Sequence, residues 1–341
     1  MAKKFVHILA ARPNFIKAAP VIKELFLRRA KNVIIHTNQH YDYKMSKIFF
    51  QDLNIPEPDY HLGVKSGTHA YQTGEALIKI EKILLQTSPD AVIVYGDVNS
   101  TLAGALAASK LHIPLYHVES GCRSFDMTMP EEVNRILTDN VSDLLFCTEQ
   151  SACKNLEEKK FDPNKIKLVG NTAIDSLYPI KDLIFNKKPL LEGKFYLSTL
   201  HRPFNVDDPL ILNKILTKLN KFDLPVIIPT HPRLEKNLTN SYSNISFIAP
   251  LGYIDFINLI FHSSGVISDS GGVQCETCYF RKPLLTLRPT TEHLITLNYG
   301  NRLVQNIDTL SPKLFKPKTY NKTPLEWDGK SSQRIVNEIL K

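Results

Sequence analysis

The chain has 341 residues, 43% of them hydrophobic and 22% charged, which is enough apolar material for real cores and enough length for two domains. Its 42 basic and 34 acidic residues give a formal charge of +8, but the lysines are dispersed and form no stripe interleaved with aromatics, so no nucleic-acid partner is expected. No apolar run approaches the roughly 20 residues of a membrane helix, so no membrane partner is expected either.

The first apolar run, residues 5–9, is interrupted by His7 and closed by Arg12-Pro13. It reads as a buried strand and not as a secretory leader, and a cytoplasmic location is expected. Further short runs rich in Val, Ile and Leu follow at 33–37, 91–95, 115–118, 144–147 and 166–169. Between them lie helical patterns at 17–28, 45–53, 69–86, 100–110, 131–140 and 150–158. This alternation predicts a parallel sheet covered on both faces.

Gly170-Asn171-Thr172 breaks the pattern, and it restarts. Strands are expected at 196–200, 225–229, 245–248, 265–268 and 284–287, with helices at 210–219, 253–261 and 274–280. The fold class expected is α/β, with two doubly wound domains at 1–175 and 176–328 facing a cleft. Residues 329–341 form an amphipathic helix with Ile335, Ile339 and Leu340 on one side, expected to pack back on the first domain. The cysteines at 122, 147, 153, 275 and 278 are odd in number and scattered, as reduced buried thiols would be. Cys275 and Cys278 form a C-x-x-C inside a predicted helix with no second pair, so no metal site is expected.

In open parallel sheets ligands sit outside the carboxyl ends of the strands, so the residues just after each strand matter most. After the first come Arg12 and Lys17, flanking a helix start where a phosphate or carboxylate can be met. After the third comes Asp97, equally readable as a helix cap before Ser100. His117 and Glu119 share one side of the fourth by period-two alternation, and a glutamate buried there needs a partner. Glu131 and Glu132 open the next helix after Pro130, where carboxylates also gain from the helix dipole. Asp97, Glu119 and a Glu131-type residue at one sheet edge would form a proton-transfer site.

The second half supplies His201-Arg202-Pro203, Thr230-His231-Pro232-Arg233 and Ser268-Asp269-Ser270-Gly271-Gly272 at its strand ends. Either histidine reads equally well as a satisfied structural residue. The paired glycines let backbone approach a ligand at a helix N-terminus, although their spacing matches neither the dinucleotide nor the P-loop motif.

Taken together, these strings resemble the non-hydrolysing UDP-N-acetylglucosamine 2-epimerase family nearly end to end. The matching strings are ARPNFIKAAPVIKEL, NQHYDYKMSKIFF, VYGDVNSTLAGALAASKL, HVESGCRSFDMTMPEEVNRILTD, LVGNTAID, TLHRPFNVDDP, THPRL, PLGYIDF and SDSGGVQCET. The resemblance implies a fold like that of the B-type glycosyltransferases, with two Rossmann-like domains, and a homodimer. It implies interconversion of UDP-N-acetylglucosamine and UDP-N-acetylmannosamine, by elimination of UDP to a 2-acetamidoglucal and re-addition, with no cofactor. On its motifs Asp97, Glu119 and Glu131 match the acid/base carboxylates, and His201 the leaving-group residue. Arg12, Lys17, Arg135 and His231 match positions near the ligand. Ser270, Gly271 and Gly272 match the phosphate loop, Glu276 the ribose contact and Phe256 the uracil contact.

The chain departs from the family pattern at a few points. Ala10 replaces a common glycine, and His293 stands where a phosphate-facing arginine is usual. Asp42 replaces the glutamine of members activated by their own substrate. Arg288 and His293 lie where sugar selectivity would change, so a 2-epimerase of another UDP-sugar, such as a diacetamido uronic acid, is the first alternative. A hydrolysing epimerase, a B-type glycosyltransferase and a non-enzymatic UDP-sugar sensor are the others.

Overall fold

The computed structural model describes residues 2–37, 49–230, 232–238, 240–315 and 323–341. The chain divides into two compact units, Met1–Pro179 with Glu326–Lys341, and Ile180–Leu325. Among the described residues no helix is long and apolar enough to cross a membrane.

Among the described residues the first unit is built on seven parallel strands: β1 (Lys4–Leu9), β2 (Lys31–His36), β3 (Tyr60–His61), β4 (Ala91–Tyr95), β5 (Leu115–Ser120), β6 (Leu144–Cys147) and β7 (Ile166–Leu168). Their order is β3-β2-β1-β4-β5-β6-β7, the doubly wound arrangement that reverses direction between β1 and β4. The central strands are buried on both faces, as the unbroken sequence Ala-Val-Ile-Val-Tyr of β4 requires. Val6, Ile8, Val92 and Val94 pack against Ile80, Ile83 and Leu84 of the helix His69–Thr87 and the alanines of Asn99–Lys110. The terminal helix Ser331–Ile339 belongs to this unit: Lys3 Nζ donates to Ile339 O at 3.1 Å, and the indole of Trp327 donates to Thr148 O at 3.1 Å.

The described residues of the second unit hold six parallel strands, β8 (Tyr196–Thr199), β9 (Val226–Pro229), β10 (Ile245–Ile248), β11 (Gly265–Ser268), β12 (Leu284–Thr286) and β13 (Asn301–Leu303). Their order is β10-β9-β8-β11-β12-β13, with the reversal between β8 and β11. Its core runs from Leu212, Ile215, Leu216 and Leu219 of the helix Pro209–Leu219 to Ile228, Ile267 and Leu285 on the sheet. This pair of doubly wound sheets is the fold class the sequence implied.

Three departures from the sequence expectations have local causes. β3 and β13 escape pattern reading because they are edge strands of two and three residues. The expected alternation through β5 stops at Glu119, where a bulge shifts the register between Val118 and Ser120 and the backbone turns left-handed, φ 74°. The helix expected at 274–280 starts three residues earlier, Gly271–Tyr279, so both glycines lie in its first turn.

A buried histidine on β1 makes the first unit sensitive to acid. His7 bridges the Tyr95 hydroxyl (2.8 Å) and Asn32 Oδ1 (2.9 Å) with no surface exposed. Burial lowers its pKa to about 4 against the opposing effect of its hydrogen bond to Asn32. The unfolded ring takes up its proton near the ordinary value of 6.5 and the folded ring only near 4, so this contribution is full above the first value and lost as pH falls towards the second. The loss is roughly 3 kcal/mol. Denaturant unfolding at pH 7 and pH 4.5 is expected to show it in the native protein, with a shallower decline in His7→Gln. Equal declines in the two proteins would contradict this.

Candidate active site

In each sheet the point of reversal leaves a crevice at the strand ends, and polar side chains gather there. In the first unit, Asn14 closes the turn after β1 by accepting from the amides of Ala10 and Ala11 (both 3.2 Å) and donating to Tyr95 O at 2.7 Å. That fixes the helix Arg12–Leu27 against the end of β4. This helix has no acidic residue in its first turn and begins instead with Arg12, whose guanidinium lies 4.7 Å from the Phe49 ring centroid. Cations at a helix N-terminus oppose the helix dipole, and an anion bound there would offset that opposition.

Lys17, one turn further along, reaches Glu119 Oε1 at 2.6 Å, and both groups are buried. Glycine is favoured at position 96, because its backbone is left-handed (φ 64°) and a Cβ there would stand 3.0 Å from Lys17 Nζ. That Cβ would also stand 3.7 Å from Glu119 Oε1, so the turn leading into Asp97 touches the pair directly. A left-handed glutamate costs on the order of 1–3 kcal/mol and persists only where its surroundings over-determine it.

Asp97 is held by Arg135, which donates to Oδ2 from Nε at 3.0 Å and Nη2 at 2.7 Å. The third donor of Arg135, Nη1, goes to Glu132 Oε2 at 2.6 Å. Glu132 is buried and accepts as well from the amides of Ser124 and Phe125, so it anchors the loop after β5. Glu131, its neighbour in the first turn of Pro130–Val141, is only partly buried. Asp97 and Glu119 are thus brought to neighbouring strand ends, each beside its own cation.

The second unit places His201 just after β8 and Asp269 just after β11. His201 Nδ1 meets Asp269 Oδ1 at 2.9 Å, while its ring is 38% exposed and so open to a ligand. Asp269 is fully buried and also accepts from the amides of His201 and Arg202 and from Asn205 Nδ2. Burial pushes its carboxyl up, but His201, Asn205 and those amides outweigh it and hold the pKa down to about 2. Asp269 therefore fixes one ring nitrogen of a histidine whose side chain is partly exposed.

Ser270 precedes the helix Gly271–Tyr279, whose first amides lack helical partners. A Cβ on Gly271 would meet Glu292 Oε1 at 2.6 Å, whereas one on Gly272 would meet nothing within 4 Å. Gly271 is therefore needed by the protein's own packing, and Gly272 borders open space. Glu292 is gripped by Arg288 through bonds of 3.2 and 2.6 Å, with both side chains buried. His293 is buried and its Nδ1 has no hydrogen-bond partner. Glu276 is buried beside the Tyr253 hydroxyl, whose pKa is raised well above the usual by burial and then by the Glu276 charge. Phe256 is half-buried on the helix Tyr253–His262. His231 and Asp42 lie outside the described residues.

Sequence reasoning gave no role to Asp269, although its place directly after a strand at the reversal point was a usable signal. The helix position alone did not separate Glu132 from Glu131, and the resemblance singled out Glu131; in the structure Glu132 is the buried one of the two.

The first unit thus sets two carboxylates beside cations at neighbouring strand ends, and the second sets a histidine held by a buried aspartate near a glycine-rich helix start. The family model for UDP-N-acetylglucosamine 2-epimerase matches residues 26–340, and the chain belongs to that family. It is similar to the UDP-GlcNAc 2-epimerase of Methanocaldococcus jannaschii, solved in complex with UDP-GlcNAc and UDP: TM-score 0.93, 41% identity, 99% of each chain covered. It is 45% identical, over 87% of its length and 86% of the relative's, to UDP-2,3-diacetamido-2,3-dideoxy-D-glucuronate 2-epimerase of Pseudomonas aeruginosa. The fold alone extends to the glycosyltransferase SnogD from Streptomyces nogalater, TM-score 0.56 at 11% identity, covering 98% and 95% of the two chains.

Proposed function

We propose that this chain interconverts UDP-N-acetylglucosamine and UDP-N-acetylmannosamine by inverting C2. A carboxylate takes the C2 proton, the C–H electron pair becomes the C1–C2 double bond, and the C1–O bond breaks to release UDP as the leaving group. UDP then adds back to C1 of the 2-acetamidoglucal as C2 is protonated from the opposite face. Asp97, Glu119 and Glu131 are the acid/base carboxylates, and His201, oriented by Asp269, serves the departing diphosphate. Arg12, Lys17 and Arg135 balance the developing negative charge. Ser270, Gly271, Gly272 and His293 hold phosphate, Glu276 the ribose and Phe256 the uracil, and His231 lies close to the ligand. Homodimeric assembly and a cytoplasmic location belong to the same proposal.

The observation that carries this reading is the pair of carboxylates on adjacent strand ends, Glu119 against Lys17 and Asp97 against Arg135. A glycosyl transfer has no need for two such groups. The 45% identity to the diacetamido uronate enzyme supports a second reading. Against it, the guanidinium of Arg288 is buried and taken up by Glu292, so it is not offered to a sugar carboxylate. Turnover without any acceptor is expected, with kcat/KM for UDP-N-acetylglucosamine at least about tenfold above that for the diacetamido uronate nucleotide. The opposite preference would transfer the chain to the second reading, and dependence on an acceptor would defeat both.

Gly272→Ala tests the phosphate loop. The added methyl meets no protein atom within 4 Å and suits a helix better than glycine, so thermal stability is expected to hold or rise slightly. It enters the space assigned to the diphosphate, and UDP affinity is expected to fall about tenfold, or 1.4 kcal/mol. Titration calorimetry with UDP reads this directly. Unchanged affinity would remove Gly272 from the site.

A further inference from the structure

The helix Pro130–Val141 carries two groups that serve the strand ends. Arg135 holds Asp97, as described; Asp139, one turn later, points its carboxylate into the sheet. Asp139 has no exposed surface, so it meets no substrate directly. Its Oδ1 takes His117 Nδ1 at 2.6 Å, and the other nitrogen of that ring donates to Gly96 O at 2.8 Å. Its Oδ2 takes the Gly121 amide at 3.2 Å and Arg123 Nη2 at 2.5 Å.

Three of these residues, Gly96, His117 and Gly121, bracket the carboxylates in the chain. Gly96 immediately precedes Asp97. His117 and Gly121 stand two residues either side of Glu119, across the bulge that turns Glu119 left-handed. One carboxylate is therefore tied to the end of β4 and to both arms of the β5 bulge. Burial pushes this carboxyl up, but its bonds and charges with His117 and Arg123 prevail and hold it below its ordinary value, so it stays an acceptor on both oxygens.

We propose that Asp139 is a positioning residue that fixes the spacing of the Asp97 and Glu119 carboxylates, acting through His117 on one side and through Gly121 and Arg123 on the other. The inference rests on the epimerase reading, in which one carboxylate removes the C2 proton and another returns it on the opposite face. Two bases that work on opposite faces of one carbon must keep their separation, and a shift of about 1 Å is worth about 10²-fold in rate.

Asp139→Asn keeps the side chain's shape but turns one acceptor into a donor, which faces the donors on either His117 or Gly121 and Arg123. The expected result is a kcat about 10²-fold lower, with KM for the UDP-sugar and the dissociation constant for UDP within about threefold of the native protein. His117→Gln removes the imidazole that links Asp139 to Gly96 but leaves the bonds to Gly121 and Arg123, and it is expected to lose less, about tenfold in kcat, again at unchanged UDP affinity. It carries the test alone if Asp139→Asn does not fold. A native kcat in either folded variant would overturn the proposal. So would parallel loss of turnover and UDP binding, which marks a structural role. If the native protein exchanges no C2 proton of UDP-N-acetylglucosamine, the epimerase reading fails and this role fails with it.

Discussion

Replacing Glu119 by glutamine is expected to lower turnover by about 10³-fold, within the range a positioned acid/base group contributes. The amide keeps the length and an acceptor oxygen, so Lys17 retains a partner at the 2.6 Å position and the bulge keeps its shape. It cannot take or return a proton. Binding of UDP, assigned to the second unit, is expected to stay within about threefold of the native value. The variant also resolves a question of stereochemistry. If Glu119 serves one face of C2 only, the residual exchange of the C2 proton will differ according to whether the variant is given the gluco or the manno nucleotide. Turnover at the native rate would remove Glu119 from the chemistry.

The largest effect on stability is expected from Arg135→Met. Its guanidinium is buried between Asp97 and Glu132, with three donors committed at 2.6 to 3.0 Å. Methionine fills much of the volume but leaves Glu132, 1% exposed, without its cation. Breaking a buried pair by removing one partner costs about 3–5 kcal/mol, because the remaining charge is uncompensated. Glu132 keeps its bonds from Ser124 and Phe125, which places the expected loss near the lower end. Arg135→Lys is expected to recover only part, since a single ammonium cannot reproduce a fork shared by two carboxylates. Equilibrium unfolding in denaturant measures both, and a loss below about 1 kcal/mol in Arg135→Met would show that the pair is not a structural tie.

What the sequence made legible follows from what its signals encode. Apolar runs of four to six residues report strands buried on both faces, so β4, β6, β10 and β11 were found at their observed bounds. Edge strands and one-turn helices leave no such run: Tyr60–His61, Asn301–Leu303 and Pro203–Val206 are too short to show a period. Motif strings located the loops that bear functional side chains, but not the groups that hold them. Glu119 reads as the continuation of an alternating strand, and nothing in its neighbours announces a left-handed turn. Asp139 reads as one more polar residue on an amphipathic helix. Its meaning appears only when His117, Gly121 and Arg123 are seen to converge on it.

The central claim is that the chain removes and restores a proton at C2 of a UDP-amino sugar, and proton NMR of UDP-N-acetylglucosamine incubated with the protein in deuterated water tests it most directly. Loss of the C2 proton signal and growth of UDP-N-acetylmannosamine carrying deuterium at C2 are expected, without any acceptor or added cofactor. UDP-N-acetylmannosamine that retains the original C2 proton, or a UDP-N-acetylglucosamine signal unchanged at high protein concentration, would contradict it.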